Sequence, residues 1–202
     1  YYLIGANWTN LAAHMPTALP LVTALAAMSG GLWLLLSGEK LSLRSQPRRA
    51  SLGALCLLLA LYQFGLTFFG GSYSAYGYGM TAFAFLLAAA CLVCDRKAAS
   101  LPFYLALSLI LIYVLGVKVH ERYLLPAMPL LLLAYVLTRD RRLLALCVGF
   151  SITAFINTAI VLDNAILFGA EQGHLNNDTL VLNDVLCVLN LLLCGYAVWV
   201  AY

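Results

Sequence analysis

The chain has 202 residues, 64% apolar and 9% charged, with a mean hydropathy of +0.95. Soluble domains carry about 25% charged residues, so an ordinary water-soluble fold is excluded. A formal net charge of +3 reports membrane topology here, not a nucleic-acid surface.

A bilayer span needs roughly 17–25 apolar residues. Seven segments approach that length: 17–37, 50–71, 76–94, 101–117, 123–138, 143–162 and 180–202. Backbone polar groups in lipid must be satisfied within their own segment. The expected fold is therefore all-α, a polytopic transmembrane helical bundle of about seven spans forming one domain over residues 1–202.

Ahead of the first span, Tyr1 to Pro16 contains neither an initiator Met nor a basic leader, so no signal peptide is read. An outward N-terminus then requires a preceding span. The chain is accordingly expected to be the C-terminal portion of a larger membrane protein. Spans one and two carry Gly30-Gly31, Gly65 and Gln63, small or polar positions suited to close helix packing and interhelical hydrogen bonding. Tyr73, Tyr76 and Tyr78 suit an outer interface. Cys91-x-x-Cys94 has the spacing of a redox or metal pair, but free Cys inside apolar runs usually serves as small packing residues. All six cysteines fall in predicted spans, and no disulfide framework is indicated.

The basic residues orient the bundle. Lys40, Arg44, Arg48, Arg49, Arg96, Lys97, Arg139, Arg141 and Arg142 fall in alternate loops, nine of the eleven Lys and Arg residues. Positive charge is retained on the cytoplasmic side, so those loops are expected inside. Lys118 and Arg122 then lie outside, with a cytoplasmic C-terminus.

The fourth and fifth segments are the shortest, and both abut Lys118-Val-His-Glu-Arg-Tyr-Leu-Leu-Pro-Ala-Met-Pro129. Helices on either side are expected to end early or stay broken there. An ionisable cluster at a membrane boundary is costly unless it meets water, headgroups or a polar substrate. In an extended segment Lys118, His120 and Arg122 share a side; in a helix Lys118 and Arg122 share a face, with Glu121 near Lys118. Pro126 disfavours helix at Leu125. Either geometry suits a phosphate: Arg supplies a planar fork, Lys a point charge, His a titratable donor. Against this stands a simple boundary in which the basic side chains snorkel to the headgroups.

Beyond the cluster, Asn157 and Asn190 are expected to make interhelical hydrogen bonds, and Gly149 with Thr153 to pack closely. The 163–179 connection is the longest expected outer loop. Asp163, Glu171, Asp178 and Asp184 read as loop or helix-end carboxylates, Asp184 in a first helical turn. His174 and Asp178 have ligand spacing only in a helix, which Gly173 and Asn176-Asn177 oppose. No metal site and no cofactor motif are read.

Val119-His-Glu-Arg-Tyr-Leu-Leu-Pro-Ala-Met-Pro129 resembles the His-Glu-Arg-Tyr-Leu-x-Pro-Ala segment of bacterial polytopic glycosyltransferases of the GT-C fold. These are related to the GPI mannosyltransferase II group and, more distantly, to the dolichyl-phosphate-sugar family. Gly5-Ala-Asn-Trp8 is similar to an outer segment of those enzymes, and Arg139-Asp-Arg-Arg-Leu-Leu144 with Ser151–Asn157 to a cytoplasmic turn and its following helix. The likeness runs in order from residue 5 to about 160. It implies hexose transfer, mannose first, from a polyprenyl-phosphate-linked sugar donor in the membrane to an extracytoplasmic glycan, lipid or protein acceptor. It also implies inversion without a metal. On this resemblance His120 and Glu121 are the catalytic candidates, and Lys118, Arg122 and Tyr123 bind the lipid phosphate. The general base is expected on an Asp upstream of this chain. A transporter or flippase for a lipid-linked or anionic substrate, or a non-catalytic subunit with a lipid-phosphate site, remains the alternative.

Overall fold

The computed structural model describes residues 18–36, 47–69, 73–95, 97–116, 119–168 and 177–201. Among these the chain is helical, with no strand. Seven α-helices follow in order: α1 (Ala18–Leu36), α2 (Pro47–Phe69), α3 (Tyr73–Cys94), α4 (Leu101–Leu115), α5 (Ala127–Thr138), α6 (Arg141–Phe168) and α7 (Asn177–Ala201). Short 3-10 turns, Ala98–Ser100 and Glu121–Leu124, lead into α4 and α5. Consecutive helices pack on one another, and α4 also packs on α7.

Helix α4 is the hub. It is apolar around its whole circumference, and ten of its fifteen residues are buried, Leu107, Ile110 and Tyr113 completely. A helix apolar on every face belongs inside a bundle or a membrane. The peripheral helices instead leave large apolar side chains bare: Trp33 (66% exposed), Val93 (72%), Phe155 (76%) and Leu192 (65%). Water would not tolerate that girdle, and lipid does. Among the described residues, four segments are long and apolar enough to cross a bilayer: Ala75–Val93, Ala98–Leu115, Arg141–Asp163 and Val181–Ala201. Leu21–Leu36, Ala50–Leu66 and Arg122–Thr138 are shorter apolar stretches.

Buried polar residues lock neighbouring helices. Gln63, fully buried in α2, accepts from the Thr23 hydroxyl of α1 at 3.1 Å and donates towards the Met80 sulfur of α3 at 3.4 Å. Asn157 of α6 donates to the Tyr113 hydroxyl of α4 at 3.1 Å. Both side chains therefore do what their intramembrane positions suggested. Close packing is more selective than expected. A methyl group at Gly31 or Gly53 would press on the partner helix, and one at Gly149 would meet Leu193 at 2.8 Å. At Gly30 and Gly65 nothing lies within 4 Å, which corrects their assignment as packing positions.

The expected break beside the His120 cluster is present: a 3-10 turn holds 121–124 and α5 starts only at Ala127. Two other expectations change. The expected outer loop 163–179 is helical at both ends, since α6 runs on to Phe168 and α7 begins at Asn177. Asp184 consequently lies two turns into α7 instead of in its first turn. Residue His174 lies outside the described residues.

Candidate functional site

The break between α4 and α5 is built from opposing preferences. α4 ends where Gly116 turns extended (φ −73°, ψ 163°), its N–H still bonded to the Ile112 carbonyl at 2.8 Å. A Cβ at Gly116 would collide with that carbonyl and approach Val119 Cγ2 at 2.8 Å, so the tight exit requires glycine. Val119 and Leu124 are buried (6% and 0% exposed) and pin the segment to the bundle from both sides. Between them His120 is extended (φ −80°, ψ 154°), and its carbonyl accepts from the Tyr123 N–H at 3.1 Å. Pro126 has no N–H and precedes α5 directly, which keeps the 3-10 turn from joining that helix.

This geometry is neither the extended strand nor the α-helix considered from spacing. Three residues per turn set i and i+3 above one another, so the His120 and Tyr123 rings meet edge-on with centroids 5.8 Å apart. Both residues and Arg122 are exposed, Tyr123 by 51%. Among the described residues the Arg122 guanidinium makes no ion pair. Glu121 opens the turn through its backbone, and Lys118 lies outside the described residues. Of the five candidates, then, His120 and Tyr123 are brought into contact and Arg122 is presented beside them. The arrangement offers a permanent cation, an imidazole and a phenol on a rigid turn, a set that can bind a phosphate or a polar headgroup.

At the opposite end of α4 and α5, roughly 20 Å away by their length, the fold forms a second polar feature. A cavity of about 370 Å³ opens among Asp95, Ser100, Tyr104, Thr138, Asp140 and Arg142, with Trp199 on its wall. The Tyr104 hydroxyl donates to Asp95 Oδ2 at 2.9 Å, and the Lys97 N–H to Oδ1 at 3.2 Å. Arg139 takes a left-handed conformation (φ 59°, ψ 22°) after α5, its N–H bonded to the Tyr135 carbonyl at 2.7 Å. That reversal delivers Asp140 to cap α6, accepting the Arg142 N–H at 2.9 Å. Arg142 also donates through Nε and Nη2, at 2.9 and 2.6 Å to Oδ2. These bonds from Arg142 hold the Asp140 carboxyl below its ordinary range. The guanidinium rests 5.6 Å from the Trp199 ring centroid, and Tyr196 stacks on that ring.

This second feature was not expected from the sequence, although a signal existed. Asp95 and Asp140 interrupt two of the most basic stretches of the chain, beside Arg96-Lys97 and between Arg139 and Arg141. Carboxylates set among cations at helix ends suggest caps and oriented ion pairs. Among the described residues no group of His, Cys, Asp and Glu is arranged to hold a metal ion.

Comparison of the chain with protein-family models, characterised proteins and solved structures returned no match.

Proposed function

We propose that this chain is part of an integral-membrane glycosyltransferase that transfers a hexose, mannose first, from a polyprenyl-phosphate sugar to an extracytoplasmic acceptor. The observation that carries the proposal is the exposed His120, Arg122 and Tyr123 on a rigid turn between two apolar helices, within the segment resembling GT-C enzymes. In this account all seven apolar helices cross the bilayer, the loops rich in Lys and Arg face the cytoplasm, and the turn lies at the outer headgroup level.

The chemistry suits that position. As the glycosidic bond breaks, its electron pair passes to the lipid phosphate, which gains negative charge. A cation fixed where charge develops lowers the transition state more than the ground state. Arg122 and Lys118 are assigned to the phosphate. His120 donates to phosphate or sugar, Glu121 orients His120 or Arg122, and Tyr123 lines the site. The acceptor hydroxyl needs a general base, assigned here to a carboxylate elsewhere in the full-length protein.

The direct test supplies membranes containing the full-length protein with a radiolabelled polyprenyl-phosphate hexose. Transfer of label to an acceptor above membranes lacking the protein supports the enzyme. Movement of intact lipid-linked sugar between leaflets without transfer would instead establish a flippase.

A further inference from the structure

The cavity at the far end of α4 and α5 has no part in that chemistry. Arg142 is clamped there on two sides, by the Asp140 carboxylate along one edge and by the Trp199 ring across its face. Guanidinium carries five N–H donors in a rigid fork, and Asp140 engages only the Nε and Nη2 edge. The Nη1 edge stays available beside a polar cavity, where the Ser100 side chain makes no capping bond. Exposed Lys97, Arg139 and Arg141 neighbour its lining residues Asp95 and Asp140 in sequence. The lining itself holds Arg142 with Asp95 and Asp140; counting the neighbouring Lys97, Arg139 and Arg141, the stretches that form it carry an excess of two positive charges among the described residues.

We infer that this cavity is a binding site for the headgroup of an anionic phospholipid, with Arg142 as its phosphate ligand. Basic pockets between membrane helices recognise such headgroups. The cavity of about 370 Å³ lies at the small end of ligand sites, with room for a headgroup but not for its chains. Those chains have a place beside it, because the cavity opens at the ends of apolar helices and Trp199 is 60% exposed there, as aromatic side chains at a bilayer interface are. A soluble phosphate would gain nothing from that apolar surround, so the lipid is the assigned source. Asp140 acts as a positioning residue: without it the fork is free to rotate away. The site stands on its own geometry and does not depend on sugar transfer.

Native mass spectrometry of the detergent-purified full-length protein tests this with phosphatidylglycerol and phosphatidylcholine of matched chains. The wild type is expected to retain phosphatidylglycerol preferentially. Arg142→Gln should weaken that preference roughly tenfold or more, the scale of a charge-assisted hydrogen bond. Arg141→Gln removes the same charge from the adjacent residue, which is not among those lining the cavity, and should keep most of it. Arg142→Lys retains the charge without the fork and should fall between, and it decides the matter if the Gln variant does not fold. Equal losses at Arg141 and Arg142 would mean diffuse attraction and overturn the site. So would a preference untouched by Arg142→Lys, or displacement of the lipid by excess inorganic phosphate.

Discussion

Asn157 of α6 donates its side-chain N–H to the hydroxyl of Tyr113 of α4 at 3.1 Å, with both residues essentially excluded from the surface. This bond ties the longest helix to the central one, the same α4 whose end forms the candidate turn. Interhelical hydrogen bonds within membranes contribute about 0.6 kcal/mol on average and at most roughly 1.7. Asn157→Leu and Tyr113→Phe should each lower stability on that scale. The double variant should cost less than the sum of the singles, as for residues in direct contact. Unfolding in mixed micelles measures it, and strict additivity would show that the bond contributes nothing.

The glycines divide into two classes. Gly53→Leu forces a side chain into Leu35 of α1 and should cost about 1–3 kcal/mol, the usual penalty of overpacking. Gly30→Ala meets nothing within 4 Å and replaces a flexible helix residue with a better helix former. It should be neutral or slightly stabilising. Thermal aggregation of the solubilised protein would order the two variants, and the reverse order would contradict the α1–α2 packing.

Sequence patterning was enough to locate every described helix and to anticipate that α4 and α5 would stop at the His120 cluster. Hydrophobic runs and prolines are local signals. It did not distinguish Gly30 from Gly31, because the difference lies in which face of α1 meets Gly53. Nor did it foresee the Arg142 cavity, whose walls come from three stretches distant in sequence, 95–104, 138–143 and 199–201. The 3-10 turn also escaped, since Val119 and Leu124 enforce it through burial against the bundle.

Asp140 links cap and charge. Hydrogen bonding from Arg142 lowers its pKa in the folded protein. Stability from this pair is therefore present above the unfolded value of about 3.9 and is lost as pH falls through the lower folded value. Asp140→Ala should cost about 1 kcal/mol at neutral pH through loss of the cap. Asp140→Asn keeps a capping oxygen and should cost less, while flattening the acid limb of a stability–pH curve below about pH 4. An unchanged acid limb would remove Asp140 from the account.

Orientation has its own test. His120 is exposed whereas neighbouring Val119 is buried, so His120→Cys is the informative position on the turn. In a background lacking the native cysteines, it should react with an impermeant thiol reagent from outside intact cells. Ala98→Cys, exposed at the other end of α4, should react only after permeabilisation. Reversed labelling would place the turn in the cytoplasm and the basic loops outside.

The central claim is that Arg122 holds the phosphate of a lipid-linked sugar. Its most direct measurement compares turnover of polyprenyl-phosphate hexose by full-length wild type, Arg122→Ala, Arg122→Lys and Arg141→Ala at matched abundance in the membrane. Loss of one preorganised stabilising contact lowers turnover by ~10²–10³, which is expected for Arg122→Ala. Arg122→Lys should recover part of it, because the charge remains and the fork does not. Arg141, exposed at the far end of the bundle, should be replaceable with little effect. Equal activity of Arg122→Ala and Arg141→Ala would reduce the turn to a boundary anchor and contradict the phosphate assignment.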